Sequence, residues 1–561
     1  MLLARVALVC YTYEMNFFDS CAQESIDCST DEALLKQYSR DTSIFVRTPR
    51  GVIFPKNKAE VSRLITLAHE ARARGELVSL TGWSAGTDMT GGPLTDSYVL
   101  SFTKYMNHVS ARGETAEVEP GCYYRDFEKA TLQSGNYILP SYPASRELCA
   151  LGGIISNDSG GELTLQYGKT HDYINELEVV LSDGSEARFG PLSRSELAQK
   201  QKLQTLEGDI YRKMYTLVTQ NAATIALNTP TVSKNSAGYA LWRIHDRARD
   251  TFDLAQLIVG SQGTLAMVTN AHLRLIQLKK HRCMMVVFMK NLDTLPEVVK
   301  RVLSQSPESF ESYDDHTFSL AVQFLPQMIG QMGFWGASKL GISFLPEVWT
   351  VLTGGVPKLV LMAEFAEESA EEARSKAKTA IALLRDLPVR SRLAGDEAHS
   401  QKYWKIRRES FALLRKNLKG MYATPFIDDF VVHPEDYPSF LPKLNAILQE
   451  YQLTYTIAGH VGDGNFHIIP LMDLSDPKVR RTIVELSPKV YELVAQYHGS
   501  ITGEHNDGII RTPYLPTMFA PDMIRLFEET KRIFDPHNLF NPGKKVAGAL
   551  ADIERFMVRS V

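Results

Sequence analysis

LGGIISNDSGGELTLQYGKT, residues 151–170, is the middle one of three glycine-dense loops; the others are LTGWSAGTDMTGG, residues 80–92, and VGSQGTLAMVT, residues 259–269. Glycine lets a backbone come close to a ligand, and bared amides receive phosphate oxygens. The same stretches exclude two common nucleotide folds. No GxGxxG opens a helix, and Gly168-Lys169-Thr170 has Leu163 where a P-loop needs its first glycine. A dinucleotide on these loops therefore needs another fold. Outward from them, residues 48–276 alternate strands and helices with glycine-rich junctions, the pattern of an α+β or α/β nucleotide-binding domain. The best-marked helix runs from 59 to 74, with Val61, Leu64, Ile65 and Ala68 as its apolar stripe. Gly75 stops it, and the strand LVSLTG follows.

From about 279 the pattern changes. Strand CMMVVFMK, helix LDTLPEVVKRVL, strand KLVLMAEF and a charged helix over 367–385 read as a split βαβ sheet covered by helices. A helix around 397–416 contains YWKIRRESF, TPFIDDFVVHPE reads as strand and turn, and a helix near 441–451 leads into LTYTIAG. The expected domains are a 1–43 extension, a 44–276 nucleotide-binding domain, a 277–500 second domain and a 501–561 segment that packs back on the first. An apolar stretch at 318–352, broken by Pro326 and Lys339, reads as a packed helical insertion, with a surface that docks on a membrane or partner as the alternative.

Two late segments carry chemistry: GHVGDGNFH, residues 459–467, and ITGEHNDG, residues 501–508. Val-Gly-Asp-Gly between the strand-like runs LTYTIAG and NFHIIPLM predicts a hairpin that brings His460 and His467 opposite each other. With Glu504 they form a plausible ligand set for zinc, iron(II) or manganese, with open positions for a reactant. The plainer reading of either histidine is a hydrogen-bonded structural residue. Glu504 and His505 serve one site only if the backbone bends between Gly503 and Gly508.

The 561 residues, 44% apolar and 22% charged, suit a globular protein with more than one core. A net charge of -4 without a basic run gives no footprint for nucleic acid, so small molecules are the expected partners. Six cysteines without a CxxC pair argue against a disulfide framework or an internal iron-sulfur cluster and for a reducing cytoplasm. The apolar start LLARVALVCY is too short for a membrane span.

Taken together, the three loops in this order, then WKIRRES, GHVGDGNFH, ITGEHNDG and FDPHNLFNPGKK, resemble the flavin-linked D-2-hydroxy acid dehydrogenases of the vanillyl-alcohol oxidase superfamily. That group includes D-lactate and D-2-hydroxyglutarate dehydrogenases and the glycolate oxidase flavin subunit. The resemblance spans nearly all of 48–545. It implies an α+β fold: a two-part PCMH-type FAD-binding domain, a ferredoxin-like cap domain and a C-terminal segment returning to the flavin domain.

It also implies noncovalent FAD. Gly86, Thr87, Gly91 and Gly92 match the first family loop, Gly152, Gly153, Asn157, Gly160 and Gly161 the second, Gly260, Gly263 and Thr264 the third, and Asn541 an asparagine near the flavin. His460, His467 and Glu504 match metal ligands, His505 the catalytic base, and Arg407, with Arg408 beside it, the arginine that grips the substrate carboxylate. Zinc is the first expectation for the metal, iron or manganese the alternatives.

There are departures. Trp83 and Ser84 stand where many relatives have Arg-Gly, and no histidine in the first loop offers a covalent flavin anchor. Ile469 and Phe411 stand where 2-hydroxyglutarate enzymes tend to carry asparagine and threonine, which favours lactate, glycolate or a larger apolar acid over a diacid. Arg511 is a candidate second carboxylate contact, and Asn506-Asp507 a pair that reshapes the pocket. The chain carries none of the cysteines of the iron-sulfur domain that many relatives have. Its expected electron acceptor is a separate iron-sulfur protein, electron-transferring flavoprotein, cytochrome or quinone, reached in the cytoplasm or at the inner face of the membrane. The alternatives are a sugar-lactone or alkyl-transferring flavin enzyme of the superfamily, or a flavin subunit of a larger iron-sulfur redox complex.

Overall fold

The computed structural model describes residues 16–315, 356–394, 399–407 and 421–559. All of the 318–352 insertion, residues 1–15 of the 1–43 extension, Arg408 and Phe411 lie outside these residues.

The first sheet grows from the helix that the sequence marks most clearly. Lys58–Ala73 is capped by Asn57, whose side chain accepts the Glu60 amide at 3.0 Å, and it ends at Gly75 with φ +90°. Its whole predicted stripe is buried. The helix links Gly51–Ile53 to Leu80–Trp83, and both strands pair in parallel with Tyr98–Ser101 between them. Parallel strands need such a crossover.

The second sheet is antiparallel, in the order Val109–Arg112, Thr115–Val118, Met267–Arg274, Ile174–Val180, Glu186–Phe189. Along its central strand Met267–Arg274, buried and half-buried positions alternate, so one face of the sheet packs inward. The third glycine loop runs straight into this strand and is thereby held against the core.

After residue 277 the chain builds a third, antiparallel sheet. Its order is Arg390–Leu393, His281–Met289, Leu359–Glu367, Ser309–Asp314, Tyr455–His460, Asn465–Met472, Tyr422–Ala423. Leu359–Glu367 is buried along its full length because helix Ala370–Leu383 covers one face through Ala373, Ala377 and Ala380, while Val360 and Met362 on the other face cluster with Tyr403, Trp404 and Ile406. Small side chains let that helix lie close to the sheet.

The last segment returns to the first sheet. The Leu80 amide donates to the Leu539 carbonyl at 2.9 Å, the Asn541 amide donates to the Leu80 carbonyl at 3.0 Å, and helix Pro521–Phe534 packs on Leu206–Gln220. These contacts tie residues 501–559 to the first domain, and the Gly503 amide, which donates to the Asp429 carbonyl at 2.8 Å, ties them to the second. Among the described residues, no helix is long and apolar enough to cross a membrane.

Candidate active site

A cavity of about 510 Å³ lies where the three glycine loops face the hairpin of the third sheet. On the loop side its wall includes Gly86, Thr87, Gly92, Gly152, Gly153, Asn157, Gly160 and Gly263. The glycines differ in what they do there. Gly86 has φ +68°, and a Cβ on it would lie 2.6 Å from the Trp83 ring. A Cβ on Gly153 would meet only Ser84 at 3.8 Å, and one on Gly263 would meet nothing within 4 Å. These two positions open into the cavity, so side chains there would occupy the cradle itself. Among the described residues, no protein acceptor takes the amides of residues 84–87. An open cradle with unpaired amides fits the pyrophosphate of a dinucleotide.

Five residues expected on the wall stand behind it. Gly91 has φ +79° and abuts Phe45 and Ile509, Gly161 packs on the Tyr142 carbonyl, and Gly260 at φ +80° packs on Asp158. The Thr264 hydroxyl donates to the Ser261 carbonyl and contacts the Tyr239 hydroxyl. Asn541 donates to the Gly92 and Gln262 carbonyls at 3.0 and 2.8 Å, tying the first loop to the third. All five shape the loops from inside. Of the departures, Trp83 is a cavity residue whose ring packs against Tyr38, and Ser84 donates to the Pro120 carbonyl.

The far wall comes from the third sheet. Tyr455–His460 and Asn465–Met472 form the expected hairpin, turning at Gly464 with φ +74°. The register corrects one expectation. His460 faces Asn465 and His467 faces Ala458, so the two imidazoles are diagonal neighbours rather than direct opposites. Their ring centroids are still 5.4 Å apart. The backbone bend at Glu504-His505 is real, but a carboxylate sets it more than the glycines do. Asp429 accepts the amides of Glu504 at 3.0 Å and of His505 at 2.7 Å.

The three imidazoles share one focus. Nε2 of His460, His467 and His505 lie 3.3, 3.4 and 3.9 Å from Glu504 Oε1. A direct charged hydrogen bond is shorter, at about 2.7–2.9 Å. Ligands of one tetrahedral ion at 2.0–2.1 Å lie about 3.3 Å from each other. The first two distances match the second case, the spacing a divalent cation between His460, His467 and Glu504 would need, but the set of ligand atoms within 4.8 Å of one another is Asp429, His467, Glu504 and His505, without His460. Behind each ring stands a carboxylate, hydrogen-bonded to His460 and His467 and in close ion-pair contact with His505. Glu311 is 2.7 Å from His460 Nδ1, and Asp428 is 2.9 Å from His467 Nδ1 and 2.8 Å from His505 Nδ1. Such partners fix the tautomer and aim Nε2 at a metal. Asp429 also lies close to His467, Glu504 and His505 as a possible ligand. Its oxygens, however, already take two amides, the Thr502 hydroxyl and the Asn465 amide group.

Charge is balanced within the wall. Lys234, wholly buried, lies 3.2 Å from Asp463 and 3.3 Å from Glu504 Oε2, which leaves Oε1 to the imidazoles. Burial opposes ionisation of Glu504, but Lys234 and His460 outweigh it and hold the carboxyl well below the usual range. Burial likewise opposes protonation of His467, yet Asp428 and Glu504 push its pKa up to about 10. Protons supply positive charge here that a bound cation would supply in their place. Arg407 lines the cavity and pairs with Glu311, so one carboxylate backs both it and His460.

Two sequence expectations fail. Arg511 is wholly buried and donates to the Asp428 and Asn506 carbonyls, away from the cavity. Asn506 and Asp507 bond Gly260, Gly238 and Lys545 inside the protein and do not reshape the pocket. Ile469 is on the wall as expected. Sequence reasoning missed Glu311, Asp428, Asp429 and Lys234. The one available signal was a pair of acids, Asp428-Asp429, inside the otherwise apolar run TPFIDDFVV.

Fold and site define a two-part flavin-binding architecture with an α+β cap. Comparison with known proteins places the chain within it. Residues 49–190 match the family model described as FAD binding domain, and residues 278–545 match FAD linked oxidases, C-terminal domain. The chain belongs to the FAD-linked oxidase family. It is 28% identical to a D-2-hydroxyglutarate dehydrogenase of Pseudomonas putida over 92% of this chain and 50% of that protein. It is 25% identical to the glycolate oxidase subunit GlcD of Bacillus subtilis, covering 93% and 94%, and 26% identical to a D-lactate dehydrogenase of Archaeoglobus fulgidus, covering 88% and 91%. The chain spans about half the length of the D-2-hydroxyglutarate dehydrogenases it matches. Among solved structures, the fold is similar to that of 4-ethylphenol oxidase from Gulosibacter chungangensis, with TM-score 0.66, 16% identity and coverage of 95% and 97%. It also resembles an alkyldihydroxyacetonephosphate synthase, with TM-score 0.62, 14% identity and coverage of 92% and 83%.

Proposed function

We propose that this chain oxidises a D-2-hydroxy acid to the 2-oxo acid with noncovalent FAD and a divalent cation, zinc first, and passes the electrons to a separate acceptor. The observation that carries this reading is the convergence of three imidazole Nε2 atoms on Glu504 Oε1, across one cavity from the glycine loops. When bound, FAD supplies the two-electron acceptor for the hydrogen on C2, and a cation on His460, His467 and Glu504 supplies a Lewis acid that makes the hydroxyl more acidic. The protein's own groups do the rest. Arg407 pairs with the substrate carboxylate and, with the site opposite, presents one enantiomer. His505 takes the hydroxyl proton on Nε2, while Asp428 holds the Nδ1 side. The hydrogen leaves C2 with its electron pair, so the product is the 2-oxo acid and the proton remains on His505.

Ile469 on the wall favours an acid with a small or apolar side chain, such as lactate or glycolate. The names of the relatives supply the diacid alternative. Anaerobic bleaching of the yellow protein by a panel of D- and L-lactate, glycolate, D- and L-2-hydroxyglutarate and larger apolar 2-hydroxy acids, with and without chelator, tests the reading. Bleaching by D-acids or glycolate that chelator suppresses is expected. Bleaching by L-acids alone, or by none, overturns it. His505→Ala should keep FAD and lose bleaching.

A further inference from the structure

Asp428 sits between two elements that come from different parts of the chain. One carboxylate oxygen is hydrogen-bonded to Nδ1 of His467 on strand Asn465–Met472 at 2.9 Å, and the other lies 2.8 Å from Nδ1 of His505, beyond that strand and the helix after it, as an ion-pair contact in which neither atom is aligned for a hydrogen bond. The two rings stack, with centroids 5.1 Å apart and planes at 22°. The carboxylate is fully buried, and the Asp428 carbonyl accepts a guanidinium N–H of buried Arg511 at 2.6 Å. Its neighbour Asp429 holds a left-handed φ of +68°, a strained state for a side-chain-bearing residue, while its own carboxylate takes the amides of Glu504 and His505. The turn is therefore held from both sides, and the carboxylate has little freedom to leave either ring.

We propose that Asp428 is a shared positioning residue: one carboxylate oxygen accepts Nδ1–H of His467, the other faces the unpartnered Nδ1 of His505 at 2.8 Å, and the carboxylate so aims both Nε2 atoms at the Glu504 focus. The proposal rests on the reading of His467 as a metal ligand and His505 as the base. Its chemical basis is acceptor count. A carboxylate offers an acceptor oxygen to each ring, whereas the carboxamide of an asparagine offers one oxygen and an N–H group. Asparagine can orient one imidazole in the required tautomer and must turn the other. Metal binding and proton removal are then coupled through one wholly buried side chain on the cavity wall.

Asp428→Asn in the FAD-loaded protein tests this, with zinc titrated against a chromophoric chelator and flavin reduction followed anaerobically. A 10- to 100-fold loss of zinc affinity is expected, together with at least a tenfold lower limiting reduction rate at saturating zinc and unchanged FAD content. Wild-type zinc affinity, or full recovery of the rate at saturating zinc, overturns the shared role. If the variant does not fold, histidine-selective 15N NMR of the zinc-loaded wild type decides, with signals assigned through His467→Gln and His505→Gln. Protonated Nδ1 on both rings supports the proposal, and a hydrogen carried on Nε2 with bare Nδ1 at either overturns it. If no hydroxy acid bleaches the wild type, the functional reading fails, while the NMR measurement still judges the shared hydrogen bond.

Discussion

Lys234→Met removes a wholly buried ammonium that lies 3.2 Å from Asp463 and 3.3 Å from Glu504, and leaves both carboxylates without it. At an effective dielectric constant of about 20, each contact is worth roughly 5 kcal/mol of attraction. Keeping the ammonium out of water costs several kcal/mol, so the two terms largely offset each other. Breaking such an arrangement from one side costs about 3–5 kcal/mol, because unpaired buried charge is left behind. At roughly 2–4 °C per kcal/mol for a cooperative unit of 150–250 residues, Tm should fall by about 6–20 °C in the presence of chelator. Zinc should then raise the Tm of the variant more than that of the wild type, since the cation compensates Glu504 where the lysine did. The sign with pH follows from Glu504, whose carboxyl is held well below its usual range. The lysine's contribution is present above the ordinary carboxylate pKa and is lost as pH falls through the lowered one. Thermal scans following flavin fluorescence, with and without zinc, read all of this. A variant within 2 °C of the wild type in chelator, or one with the smaller zinc shift, refutes the charge argument.

Three further outcomes are expected. Gly153→Val places its side chain in open cavity, so FAD content after purification should drop at least tenfold while the apoprotein's Tm stays within about 2 °C. Gly464→Ala puts a Cβ 1.8 Å from the Val432 carbonyl at φ +74° in the hairpin turn; by calorimetry it should cost at least about 3 kcal/mol, with zinc affinity lost alongside. Burial, opposed by the Ala255 amide, raises the Asp253 carboxyl to about 6. A raised acid stabilises the fold below its unfolded pKa and loses that contribution as pH rises to 6, by up to about 3 kcal/mol. Asp253→Asn should remove this fall in stability between pH 4 and 6, measured by urea unfolding; an unchanged slope means another group titrates.

Much of the site was legible before folding. His460, His467, Glu504 and His505 lie in two short segments whose glycines announce turns, and the hairpin between the first two is a local event. The exact pairing was not legible, because a two-residue offset at Gly464 changes neither the alternation nor the turn signal. The carboxylates behind the rings were invisible for a different reason. Glu311 is 149 residues from His460, and Lys234 is 270 residues from Glu504. Nothing near them in sequence names their partner. Arg511 misled because an arginine in a site loop looks like a ligand until its burial against two carbonyls is known.

By itself the sequence determined the elements: the capped helix Lys58–Ala73, the three loops that need glycine, and the late histidine hairpin. These depend on periodicity and backbone freedom, which a few neighbouring residues set. Only the tertiary structure decided which carboxylate backs which imidazole, which glycines open into the cavity and which merely pack. Those outcomes depend on desolvation and on contacts between segments far apart in the chain, where a charge pairs with whatever the fold brings within reach.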